Sequence, residues 1–123
     1  MSNVLYKDER RSGRTQFMID HLIDAVRKGQ PLCRVIGANY HQTVILRDRV
    51  LDEFRKTDLP WDARFSKKIL SRNSLIIFHS SHRFLYEYRG MERYDCCFWD
   101  HYAIEYNPQV YKEWLKLISW RTT

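Results

Sequence analysis

Apolar side chains recur at helical spacing in three segments of the chain. Residues 15–28 place their apolar positions on one helical face, and Gly29 follows a basic last turn as a stop signal. Residues 43–55 repeat this spacing after a polar turn. Residues 108–120 form the third segment, with Pro108 in a first helical turn. The pattern predicts three helices that pack on a shared core.

Shorter runs that are apolar on both faces predict buried strands. These runs are residues 32–36, 74–79 and 94–99. Strands of this kind are typical of the centre of a sheet that helices cover on each side, whereas a half-exposed strand alternates apolar and polar positions. Residues 4–6 add a short first strand to the prediction. Residues 56–72 show no sustained period, so they are predicted to form a loop with at most a short helix.

The order of these elements predicts the fold class. Helix, strand, helix, strand, strand and helix follow one another, which favours an α/β fold with three layers and a mainly parallel central sheet. A length of 123 residues and a hydrophobic content of 44% fit one core. We therefore expect a single α/β domain over residues 1–123.

The composition indicates which cellular compartment and which class of partner to expect. Cys33, Cys96 and Cys97 are an odd set, and adjacent cysteines on a strand point to opposite faces, so free thiols in a reduced compartment are expected. The chain has neither an apolar signal core nor a run long enough to span a membrane, which predicts a cytoplasmic protein. A formal charge of +6 favours polyanionic partners, although it also serves solubility alone.

The segment before the first helix has the residue types of a phosphate-binding loop. Such a loop needs a glycine for close backbone approach, a cation for the outer phosphates, and a hydroxyl for Mg²⁺ at a helix start. Gly13, Arg14 and Thr15 supply these types in that order, after Arg10, Arg11 and Ser12. The alternative is that Ser12 caps the helix and the arginines are solvated.

These residues carry a resemblance to a known family. The segment Arg10 to Thr15 resembles the arginine-rich Walker A loop in the ATPase half of phage large terminases and of helicase-like ATPases. The run from Tyr94 to Asp100 and His101 is similar to their Walker B strand, an apolar strand that ends in an acidic residue. The resemblance implies a minimal, P-loop or Rossmann-like fold, in which Thr15 and Asp100 hold Mg²⁺ beside ATP.

Three positions depart from that family's pattern. Asp8 replaces the first glycine of the loop, and Arg14 replaces its lysine. His101 stands where these enzymes carry the glutamate that activates water. No catalytic residue is assigned, and Asp100 and His101 are the candidates. Phosphate binding tolerates such changes better than catalysis, and we expect at most weak NTP hydrolysis. The alternative role for Asp100 is a strand-end carboxylate paired with an arginine.

A second segment has the composition of a nucleic-acid surface. Aromatic rings that stack on bases alternate with arginines that bind phosphates at five positions: Arg83, Phe84, Tyr86, Tyr88 and Arg89. The alternative is a partly exposed strand whose aromatic face packs on the core. Separately, His79, His82 and His101 supply the imidazoles of a zinc site but lack a tight ligand spacing.

Two functions remain open at this point. The first is a small phage-type protein that binds phosphate, a nucleotide or nucleic acid through a degenerate phosphate loop, with little or no hydrolysis. The second is a non-enzymatic, phage-encoded protein that docks on a host nucleic-acid-processing or defence protein and modulates it through its basic and aromatic surface. Neither reading involves a membrane, and neither fixes an oligomeric state.

Overall fold

Helices alternate with strands through the part of the chain that the structure describes. This computed structural model describes residues 13–65, 68–88 and 96–122. In chain order the elements are α1 (Arg14–Arg27), β1 (Leu32–Gly37), α2 (Tyr40–Lys56), β2 (Asp62–Phe65), β3 (Lys68–Ser71), β4 (Ser74–Ser80), α3 (Ser81–Tyr88), β5 (Cys96–Trp99), α4 (His101–Tyr106) and α5 (Pro108–Thr122). The strand predicted at residues 4–6 lies outside the described residues.

The five described strands form one mixed sheet in the order β2–β3–β4–β1–β5. The central strand β1 pairs in parallel with β4 on one side and with β5 on the other. Strand β3 is antiparallel to both β2 and β4. The α/β prediction is confirmed. The sequence had indicated a mainly parallel sheet, whereas the sheet is mixed. The loop predicted for residues 56–72 is wrong, because this segment contains the antiparallel strands β2 and β3.

One face of the sheet carries the larger core. The strand register aligns Cys33 with Ile76 and Cys96, and Val35 with Phe78 and Phe98, so these side chains share a face. Helices α1 and α2 cover this face with buried apolar residues: Met18, Ile19, Leu22, Ile23, Ala25, Val26, Leu46, Val50, Leu51 and Phe54. The helical spacing in the sequence therefore marks the surfaces that are buried here.

The opposite face carries a smaller, aromatic core under the helices α3, α4 and α5. Phe84 is fully buried and makes an edge-to-face contact with Trp99 at a centroid distance of 5.2 Å. Trp99 also lies 5.5 Å from the ring of Trp114 and 5.0 Å from that of Tyr111. Because helices cover both faces, the described part of the chain has three layers.

Membrane insertion finds no support in the described helices. Within residues 13–65, 68–88 and 96–122, no helix has the length and apolar character that a membrane crossing requires.

The close approach of β1 and α2 depends on Gly37. A Cβ atom at this position would lie 2.8 Å from Thr43 Cγ2 and 3.3 Å from the Thr43 backbone nitrogen. Contacts this short would push the start of α2 away from the end of β1.

We expect Gly37→Ala to lower the free energy of unfolding by about 1–3 kcal/mol through overpacking. Urea unfolding of Gly37→Ala, Thr43→Ser and the double variant measures the effect. Because Thr43→Ser removes the methyl group that clashes, the double variant should be less destabilised than the sum of the single ones. Additive effects would contradict this account of the contact.

Candidate functional site

The carboxyl ends of three parallel strands meet at one edge of the sheet. Strand β1 ends beside Ala38, β4 ends at Ser80, and β5 ends beside Asp100. The chain continues from β1 into α2 on one face of the sheet and from β5 into α4 on the other. Open α/β sheets bind ligands in the crevice that such a divergence creates. Helix α1 brings its N-terminus to the same edge.

Asp100 is the most connected polar side chain at this edge. It is 0% exposed, and its carboxylate accepts hydrogen bonds from both faces of the sheet. Thr15 Oγ1 donates to Oδ1 at 2.9 Å, across 85 positions of sequence. Gln42 Nε2 donates to Oδ2 at 2.9 Å, and the Tyr102 backbone N–H donates to the same oxygen at 3.2 Å. These contacts link α1, α2 and α4 to the end of β5.

Gln42 is a site residue that sequence reasoning missed. Its side-chain oxygen accepts the Ala38 backbone N–H at 2.6 Å, while its amide group donates to Asp100. Asn39 caps α2 by accepting the Gln42 backbone N–H at 2.9 Å. The Asn39 cap was the available sequence signal, since it fixes where α2 starts and so which side chain faces Asp100.

The predicted phosphate loop is described from Gly13 onward. Gly13 takes a left-handed conformation, with φ of 96°, and immediately precedes α1. Thr15 is buried in the first turn of α1, whereas Arg14 is exposed and lies 3.7 Å from Glu105 of α4. The first N–H groups of a helix and its dipole favour an anion at this position. Arg10, Arg11 and Ser12 lie outside the described residues.

His101 is almost fully buried next to Asp100. Its side chain is 5% exposed, and its ring packs on that of Tyr102 at a centroid distance of 4.1 Å. Its Nδ1 lies 3.6 Å from Asp100 Oδ1, beyond hydrogen-bond distance. His101 also lines a cavity with Gly13 and Arg14 at the N-terminus of α1, and its catalytic role stays a prediction.

The three histidines considered for zinc occupy different environments. His79 Nε2 lies 2.8 Å from Arg34 Nη1 inside the fold, and His82 is exposed on α3. Over the described ranges, no three His, Cys, Asp or Glu side chains converge as a metal-binding group would.

The nucleic-acid surface predicted for residues 83–89 requires a correction. Residues Ser81–Tyr88 form the helix α3, not a strand, and Phe84 is 0% exposed between Trp99 and Trp114. A buried ring has no face for a base, so Phe84 cannot be a stacking residue. Arg83 and Tyr86 are exposed on α3, Tyr88 ends the helix, and Arg89 lies outside the described residues.

A crevice of about 570 Å³ lies between the start of α2 and α4. It reaches Ala38 at the end of β1, and one of its lining residues, Gln42, donates to Asp100. This crevice could not be predicted from the sequence, because its two walls come from segments about sixty positions apart. It is lined by Ala38, Asn39, His41, Gln42, Ile45, Tyr102, Glu105 and Tyr106.

Comparison with protein-family models, with curated proteins and with solved structures finds no match for this chain.

Removing the Asp100 carboxylate should destabilise the domain strongly. Asp100→Ala leaves two side-chain donors and one backbone N–H without their acceptor, and we expect a loss of about 3 kcal/mol in unfolding free energy. The matched control is Asp52→Ala, which removes an exposed carboxylate 2.6 Å from Arg55 and should cost less than about 0.5 kcal/mol. Equal midpoints for the two variants in urea unfolding would disprove this role for Asp100.

Proposed function

We propose that this domain binds the phosphate groups of a nucleotide at the N-terminus of α1, with Mg²⁺ held by Thr15 and Asp100. The observation that carries the proposal is the 2.9 Å contact between the Thr15 hydroxyl and the Asp100 carboxylate. A hydroxyl in the first turn of a helix and a carboxylate at the end of a parallel strand are the two magnesium-side groups of a P-loop site.

The chemistry of the α1 N-terminus supports an anionic ligand. Gly13 presents backbone without a side chain, and the helix dipole adds partial positive charge. Arg14 supplies a guanidinium at the same end, within 3.7 Å of Glu105. Arginine binds phosphate oxygens through a planar fork, which suits binding more than the compact charge needed at a reacting phosphoryl group.

The separation of the two oxygens fits a magnesium ion. Neighbouring ligands of an octahedral Mg²⁺, each about 2.1 Å from the metal, are themselves about 3 Å apart. The Thr15 and Asp100 oxygens are 2.9 Å apart, so they need not separate to become ligands. When bound, Mg²⁺ supplies charge neutralisation to the phosphates, while Gln42 holds the second Asp100 oxygen.

The residues at this site favour binding over hydrolysis. His101 stands where P-loop enzymes carry the glutamate that activates water, and Arg14 replaces the lysine that acts on the reacting phosphoryl group. We therefore propose a P-loop-like nucleotide-binding domain with weak or absent NTPase activity.

A thermal-shift titration with ATP, with and without Mg²⁺, tests the proposal. A ligand that binds only the folded state raises Tm, and we expect about 5 °C at ten times the Kd. Thr15→Val should remove the part of the shift that needs Mg²⁺, and Arg14→Ala should lower the shift with or without the metal.

The matched control is Arg27→Ala, which removes an arginine from the opposite end of α1, where it contacts Asp58 at 3.2 Å. This variant should keep the full ATP-dependent shift. No shift at millimolar ATP, or equal shifts in all variants, would overturn the proposal and favour the interaction-protein alternative.

A further inference from the structure

We propose that the crevice between α2 and α4 binds a nucleobase. This inference goes beyond phosphate binding, because it assigns a ligand to a cavity that the phosphate site does not use. The crevice has the volume of a small-ligand pocket, about 570 Å³, and lies beyond the carboxyl ends of β1 and β5. Its lining combines aromatic, aliphatic and hydrogen-bonding groups.

The two walls can hold a flat ring. Tyr102 and Tyr106 stand four residues apart on α4 and therefore share one face of that helix. His41 and Ile45 have the same spacing on α2. Tyr106 is 61% exposed and Ile45 is 47% exposed, so both side chains are accessible to a ligand in the crevice. A base stacked on Tyr106 and packed on Ile45 covers both surfaces.

The floor and the rim supply hydrogen-bonding groups for the edge of a base. Asn39 uses its side-chain oxygen to cap α2, and its amide nitrogen is not needed for that cap. Side-chain amides match the paired donor and acceptor atoms of nucleobases. Glu105 adds a carboxylate that accepts hydrogen bonds from the N–H groups on the edge of a base.

The crevice shares residues with the phosphate site. Gln42 lines the crevice and donates to Asp100, whose other oxygen receives Thr15. Glu105 lines the crevice and pairs with Arg14. A base in the crevice therefore lies beside phosphates at α1. It comes either from the bound nucleotide itself or from an unpaired residue of a nucleic-acid strand.

Calorimetric titrations with three ligands separate these sources from each other and from phosphate binding. The ligands are ATP, inorganic tripolyphosphate and a twelve-residue oligothymidylate, each at fixed ionic strength because phosphate contacts depend on salt. The variants are Tyr106→Ala and Ile45→Ala. Tyr86→Ala is the matched control, since Tyr86 is an exposed tyrosine on α3 outside the crevice. Circular dichroism and Tm establish that each variant is folded.

The expected result is a loss of roughly tenfold in affinity for a base-containing ligand in Tyr106→Ala, with no change in Tyr86→Ala. If the base belongs to the nucleotide, ATP binds more tightly than tripolyphosphate and Tyr106→Ala removes that difference. If it belongs to a strand, only oligothymidylate responds to Tyr106→Ala. Tripolyphosphate affinity stays unchanged in either case.

The inference is overturned if Tyr106→Ala and Ile45→Ala bind both ATP and oligothymidylate as the wild-type protein does. That result, with tripolyphosphate still bound, would leave the proposed phosphate site standing. Conversely, a base-dependent loss in Tyr106→Ala without any tripolyphosphate binding would support the crevice and remove the phosphate site.

Discussion

A buried carboxylate at the end of β5 organises the functional edge of this domain. A charge held away from water is costly unless hydrogen bonds compensate it. Asp100 obtains this compensation from Thr15 on α1, from Gln42 on α2 and from the first turn of α4. Three helices from both faces of the sheet are thereby fixed relative to one another at a single point.

This constraint places the two proposed ligand sites side by side. The α1 N-terminus lies on the Thr15 side of Asp100, and the crevice lies on the Gln42 side. A ligand that binds one oxygen of the Asp100 carboxylate changes the hydrogen bond at the other oxygen, because both oxygens belong to one rigid group. The Arg14–Glu105 pair makes a second, exposed connection between the same two regions. Occupancy of one site is therefore expected to affect affinity at the other.

The elements with a complete apolar face could be predicted from the sequence. Helices α1 and α2 each bury one apolar face, which gives a clear helical period in the sequence. Strands β1 and β4 lie in the centre of the sheet, which gives a short apolar run in the sequence. Strands β2 and β3 could not be predicted, because they have four residues each and are held by the backbone pairing of β2 with β3 and of β3 with β4. Helix α3 follows β4 with no intervening turn residue, and its aromatic composition is typical of a strand.

The candidate site could also be predicted only in part. The resemblance to P-loop ATPases implied that Thr15 and Asp100 share one site, and the structure brings their side-chain oxygens within 2.9 Å of each other. The burial of Phe84 could not be predicted, because it depends on Trp99 and Trp114 from other elements. For Gln42 the sequence offered only the Asn39 cap that fixes the start of α2, because an amide on a helix becomes part of a site only when the fold brings Asp100 beside it.

The central claim is that Thr15 and Asp100 form a metal–phosphate site, and paramagnetic NMR measures it most directly. Mn²⁺ takes the place of Mg²⁺ and broadens the resonances of nearby nuclei. With Mn²⁺ and ATP added to isotopically labelled protein, we expect the amide signals of residues 14–16 and 100–102 to broaden first. Broadening that is uniform over the surface, or confined to positions away from the ends of β5 and α1, would contradict the account.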